Sequence, residues 1–216
     1  MKKLSHLMVA MCAGLVLLPQ AALSRDAVVV ATADTVDSKA VAVGPTNDAA
    51  AEEKARNYFT DTEVIDQNGK KQRFYSDVLK GRVVLISFIF TNCEFACPMQ
   101  AQKLKQARAA MVPSIKDDVW YVTLSVDPER DTPEAMKKFA ERQGVDESRW
   151  IFLTGKKENM EFLVKRLGQY TPDIESHTTL MLAGNTITKH WTRVMPMLTP
   201  PDIANKMREL VEETPG

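Results

Sequence analysis

The chain has 216 residues, with 28 Lys and Arg against 28 Asp and Glu, and 44% of its residues are hydrophobic. That length holds one ordinary domain with a substantial core, plus tails. A formal net charge of zero leaves no electrostatic footprint for attracting phosphate, so nucleic acid is excluded as a partner.

Lys2 and Lys3 make a basic n-region, residues 7–18 an apolar h-region, and Ala22-Leu23-Ser24 a small-x-small cleavage site before Arg25. Residues 1–24 therefore read as a secretory signal. The apolar stretch is shorter than the about 20 residues a membrane span needs; an uncleaved N-terminus anchoring the protein to the inner membrane is the alternative. Cys12 lies inside the h-region after Met11, in a context unlike a lipoprotein cleavage box, and leaves with the signal. Processing removes two lysines and leaves 26 basic against 28 acidic residues, a net charge of −2. Export places the product in a periplasmic or otherwise extracytoplasmic, oxidising compartment, where paired cysteines need a reductant or a metal to remain thiols.

Residues 25–55 are rich in Ala, Val, Asp and Thr, with a Gly44-Pro45 break and no sustained period. They read as a flexible tether ahead of a domain over 56–214. Within the domain, Val64-Ile65, the turn Asn68-Gly69 and the run from Gln72 to Phe74 predict an N-terminal β-hairpin. Strands follow over 83–90, 119–126 and 150–153. A helix opens at Thr132-Pro133-Glu134, with a cap, a first-turn proline and a first-turn acid, and closes at Gly144. Another runs from about Lys157 to Leu167, closing at Gly168. Apolar strands alternating with helices predict parallel pairing buried on both faces. The pattern then changes to a second hairpin, with Ala183-Gly184-Asn185 as its turn, and a terminal helix from Pro201 to Val211. The whole predicts an α/β domain with a thioredoxin-like fold and an added N-terminal β-hairpin.

Cys93 and Cys97 stand four residues apart, just after the 83–90 strand and just before a helix. That placement aims backbone N–H groups and the helix dipole at both thiols and favours thiolate. Pro98, favoured at a first helical position, puts Cys97 at the cap or beside it. Thiolates bind soft metals and exchange disulfides. A structural disulfide is the plain alternative, but a bridge closing so short a loop removes only roughly 2 kcal/mol of unfolded-chain entropy.

In this order the blocks Ile65-Asp66-Gln67-Asn68-Gly69, Thr91-Asn92-Cys93 with Cys97-Pro98, Leu124-Ser125-Val126-Asp127-Pro128 through Asp131-Thr132-Pro133-Glu134, Phe152-Leu153-Thr154-Gly155 and a distal His177 are similar to the Sco/SenC family of copper-binding thioredoxin-like proteins. The resemblance spans Val64 to Glu209. It implies that Cys93, Cys97 and His177 bind copper and that the protein is a metallochaperone for the copper centre of respiratory cytochrome oxidase. Its partners would then be a copper-accepting oxidase subunit or another copper client, and a thiol reductant. Two departures stand out: Ser176, preceded by Glu175, where the family usually has Asp before the histidine, and Glu94-Phe95-Ala96 between the cysteines, without the proline and Asp often seen there.

Two thiolates suit Cu(I), and an added imidazole also permits Cu(II). His177 lies in a polar turn before a strand, on the side of a thioredoxin-like fold that faces the first helix. His190 reads as a polar-face strand residue. Met99, Met195 and Met197 offer thioether sulfur to copper in transit, or else serve as adaptable core filler. Asp127 and Asp131 are explained by turn and capping roles, and Thr91 and Asn92 by hydrogen bonds within the cysteine loop. The main competing function is a thiol–disulfide oxidoreductase using Cys93 and Cys97 as a redox pair on an exported client. The sequence lacks the C-x-x-C spacing, and Ser176-His177 occupy the region where redox thioredoxins carry a cis-proline. A peroxiredoxin's Thr-x-x-Cys is also missing, since Phe90 and Glu94 stand three before the cysteines.

Overall fold

The computed structural model describes residues 47–145 and 148–214. The signal segment 1–24 and most of the tether lie outside the described residues. The last part of the expected tether differs from the expectation, because α1 (Asn47–Phe59) is helical from Asn47 onward. An alanine- and glutamate-rich stretch has good helix propensity without any apolar period to announce it. What anchors it is its far end, where Phe59 is buried against the sheet.

A seven-stranded sheet organises the fold. Strands β1 (Glu63–Asp66) and β2 (Lys71–Arg73) form the expected first hairpin, with Val64 opposite Gln72. Gly69 supplies the positive φ of +80° at its turn. A helical turn over Phe74–Leu79 leads into β3 (Val83–Ile89). Then come α2 (Ala96–Ala110), the short α3 (Pro113–Lys116), β4 (Val119–Ser125), α4 (Pro133–Gln143), β5 (Trp150–Thr154) and α5 (Lys157–Arg166). The chain ends with β6 (Met181–Asn185), β7 (His190–Val194) and α6 (Pro200–Glu212). The spatial order is β2-β1-β5-β4-β3-β6-β7. The central β3, β4 and β5 are parallel, and β1 and β6 flank them antiparallel. This is the expected thioredoxin-like arrangement.

The two sheet faces follow from strict alternation along β3. Leu85 and Ile89 face a core formed with α2, α4 and α6, whereas Val84, Ile86 and Phe88 face one closed by α5, the Phe74–Leu79 turn and Phe59. The α4 boundaries match their sequence signals: the Thr132 side chain accepts from the Ala135 N–H, and Gly144 closes the helix in the left-handed region at φ 59°.

The second hairpin is displaced from its predicted register. Ala183, Gly184 and Asn185 are strand residues of β6, with Ala183 opposite Leu85 of β3, and the turn falls at residues 186–189 instead. The glycine serves close packing, because a Cβ at Gly184 would sit 2.4 Å from the Trp191 ring across the hairpin. The turn itself places a non-glycine residue, Lys189, at φ 65°. No helix among the described residues is long and apolar enough to cross a membrane.

Candidate metal centre

The cysteine loop leaves the buried end of β3 at Phe90 and enters α2 at Ala96, two residues earlier than a first-position Pro98 indicates, with Phe95 at the N-cap. Cys97 is therefore inside the first turn and fully buried, whereas Cys93 lies on the loop and is only partly covered. Both are free thiols. The Cys93 N–H donates to the Phe90 carbonyl at 3.2 Å, and the Cys97 N–H donates to Cys93 Sγ at 3.3 Å.

The expectation that both thiols favour thiolate holds for only one of them. Desolvation works against the Cys93 thiolate, but N–H groups of Cys97, Ala96 and Phe95 converge on its sulfur and outweigh burial, holding the thiol below its ordinary value. For Cys97, burial dominates and pushes the thiol up to about 12, with the Cys93 and Asp131 charges adding to the shift. The helix terminus thus activates the residue that precedes it. The residue within its first turn is too deep to share the benefit.

A buried carboxylate fixes the loop from the other side. Asp131, with no exposed surface, accepts from the Thr91 N–H at 2.9 Å and the Thr91 hydroxyl at 2.7 Å through Oδ1, and from the Ser125 hydroxyl at 2.6 Å through Oδ2. Burial raises its pKa, and the Thr91 and Ser125 hydrogen bonds offset part of that rise. The sequence had suggested a turn or capping role; the structure gives Asp131 the further task of tying the residue two before Cys93 to the end of β4. Asp127 stays local, supporting the same corner through its backbone and an ion pair with Arg130.

His177 follows a helical turn at Ile174–Ser176. Its Nδ1 lies 2.9 Å from the Ile174 carbonyl, which can only accept, so Nδ1 carries the hydrogen. In the neutral ring Nε2 then bears the lone pair; that nitrogen is buried without a hydrogen-bond partner. Ser176, standing where a carboxylate was expected, turns away to donate to Asp173. A backbone carbonyl therefore supplies the orientation that an acidic neighbour would have given. The ring packs edge-on against Phe90, centroids 5.4 Å apart, and Gln100 of α2 donates to the Thr179 carbonyl just beyond it at 2.9 Å.

Phe90 and Gln100 thus hold the histidine segment beside the cysteine loop. The three donors are not gathered, however: among the described residues no group of three His, Cys, Asp or Glu side chains is close enough to hold a metal ion. His190 is accounted for separately, paired with Glu213 at the sheet edge. A cavity of 560 Å³ lies under Tyr58, Phe59 and Trp191 and shares no residue with the cysteine loop. As a donor set, two free thiols with a bare imidazole nitrogen nearby fit a soft or borderline metal.

The family model described as SCO1/SenC matches residues 46–212. The chain is 42% identical over 103 residues to the SCO1 protein homolog of Bacillus subtilis, a match covering 46% of this chain and 51% of that protein. It spans about half the length of the curated relatives it matches. The copper-bound structure of ScoI from Bradyrhizobium japonicum superposes with a TM-score of 0.58 at 26% identity, covering 69% of this chain and 96% of ScoI. BsSco, described as a member of the Sco family of cytochrome c oxidase assembly proteins with a disulfide switch, superposes with a TM-score of 0.57 at 29% identity, covering 70% of this chain and 92% of BsSco.

Proposed function

The chain belongs to the SCO1/SenC family, and from that premise we propose that it is an exported copper metallochaperone, holding its cargo through Cys93, Cys97 and His177 and delivering it to the copper centre of a respiratory oxidase. The observation that carries this reading is the buried, unpartnered Nε2 of His177 on the segment packed beside the two free thiols. An unsatisfied buried nitrogen is costly unless something repays it, and a metal ion does. Cys93, the more accessible thiol and the one whose thiolate the helix start favours, meets incoming copper first. The charge of the bound ion then opposes the burial that keeps Cys97 protonated, so capture releases the Cys97 proton.

The experiment is copper stoichiometry in two redox states of the full chain. The reduced protein binds a single copper and the disulfide form essentially none, since only thiolates can serve as ligands. Equal copper in both states removes Cys93 and Cys97 from the site. The signal and cleavage motifs support export; a processed form beginning near Arg25, read by N-terminal sequencing, tests that part, and an intact Met1 in the membrane fraction favours the anchored alternative.

A second reading, a thiol–disulfide oxidoreductase, draws support from the contrast between the thiols. Cys93 is accessible and activated, and Cys97 is buried and protonated, the division between an attacking and a resolving cysteine. Cys93 thiolate attacks a client disulfide and expels one client thiol. Cys97, on losing its proton, then displaces the second, leaving the client with two thiols and the chain with one disulfide. A cysteine-specific reductant restores the pair.

A further inference from the structure

Among the described residues, methionines 111, 136, 160, 181 and 207 are buried core filler. The remaining three are not: Met99 is 67% exposed, Met195 43% and Met197 75%. The exposed methionines lie on two segments joined by a hydrogen bond. Met99 lies two residues after Cys97 on α2, one turn before Lys103 on the same helix face. Lys103 donates to the carbonyl of Pro196, the residue between Met195 and Met197. A turn closed by the Leu198 N–H on the Met195 carbonyl at 3.1 Å fixes that segment, while Leu198, partly buried, packs against the core. The β7–α6 connection, which carries two of the exposed methionines, is therefore tied to α2, which carries the third.

We propose that Met99, Met195 and Met197 form a thioether site for Cu(I) at the mouth of the cysteine loop. The proposal deepens the metallochaperone reading, on which it rests for its role in copper delivery though not for binding itself. A merely apolar surface needs no sulfur, since leucine or isoleucine would serve. What methionine adds is soft, uncharged sulfur. A thioether binds without losing a proton and holds the ion less tightly than thiolate, which suits a station where copper arrives or departs by ligand exchange. No electron is transferred in such a step.

The test uses the full chain with Cys12, Cys93 and Cys97 replaced by Ser and its methionine methyls labelled with carbon-13. It is titrated with Ag(I), a redox-inert stand-in for Cu(I). The methyl resonances of Met99, Met195 and Met197 shift together and saturate, while those of the buried methionines stay in place. The variant with Met99→Leu, Met195→Leu and Met197→Leu, a nearly volume-conserving surface change, loses that binding. Unmoved resonances, or unchanged Ag(I) binding in the leucine variant, overturn the proposal and leave the patch an apolar docking face only. If the chain with native cysteines binds no Cu(I) while the serine variant still shows the methyl shifts, the cysteine reading falls and the thioether site stands.

Discussion

The backbone N–H of Cys97 points at the sulfur of Cys93 across 3.3 Å, so the two cysteines act on one another through the main chain of a helix start. The N–H groups there stabilise a negative sulfur just outside the helix, whereas the sulfur inside its first turn is buried away from water.

This asymmetry predicts their reactivity. In the metal-free reduced protein, Cys93 is alkylated by iodoacetamide with a pH midpoint below that of an ordinary thiol, because its thiolate fraction is already raised. Cys97 stays unmodified through neutral and mildly alkaline pH. Peptide mapping by mass spectrometry separates the two. Equal labelling of both would contradict the division of roles.

Asp131 makes a prediction about stability. Its folded pKa is raised above the unfolded carboxylate value of about 3.9. The stabilising contribution of its protonated form is therefore complete below the unfolded value and is lost as pH rises through the folded one. Asp131→Asn lacks that titration. The variant is less stable than the parent at acidic pH, and the deficit narrows as pH rises across this window and then levels off. Urea unfolding of both proteins over the range measures the gap; a deficit that is constant or grows with pH is the contrary result.

Gly184→Ala tests the register of the second hairpin. The added methyl group meets the Trp191 ring at 2.4 Å, and the overpacking costs about 1–3 kcal/mol, read as a lowered urea midpoint with the slope unchanged. A variant as stable as the parent would mean that the glycine is a turn residue after all.

That hairpin also shows where the sequence stopped being informative. Alternating strands, the Asn68-Gly69 turn and the Thr132 cap are local signals, and each element lies where its residues indicate. Ala183-Gly184-Asn185 carries turn chemistry, yet its glycine answers to a tryptophan seven residues away across the strand pair, which no local rule reveals. α1 lacked a legible apolar period. At the site, the two cysteines and the distal histidine were visible as residue types, but the opposite behaviour of the thiols depends on depth of burial. The hold of Asp131 on Thr91 spans 40 residues of sequence, and the orienting partner of His177 is a backbone oxygen, which residue identity does not encode.

The central claim, that His177 completes a copper site with Cys93 and Cys97, is tested most directly by Cu(II) titration of the reduced full chain and of its His177→Ala variant, followed through the sulfur-to-copper charge-transfer absorption beside a Cu(I) competition assay. Two thiolates satisfy Cu(I), so its affinity persists in the variant. Cu(II) seeks a nitrogen donor as well, and in the variant it binds weakly or oxidises the thiols to a disulfide. A variant that keeps the full Cu(II) spectrum and affinity would contradict the assignment and remove His177 from the ligand set.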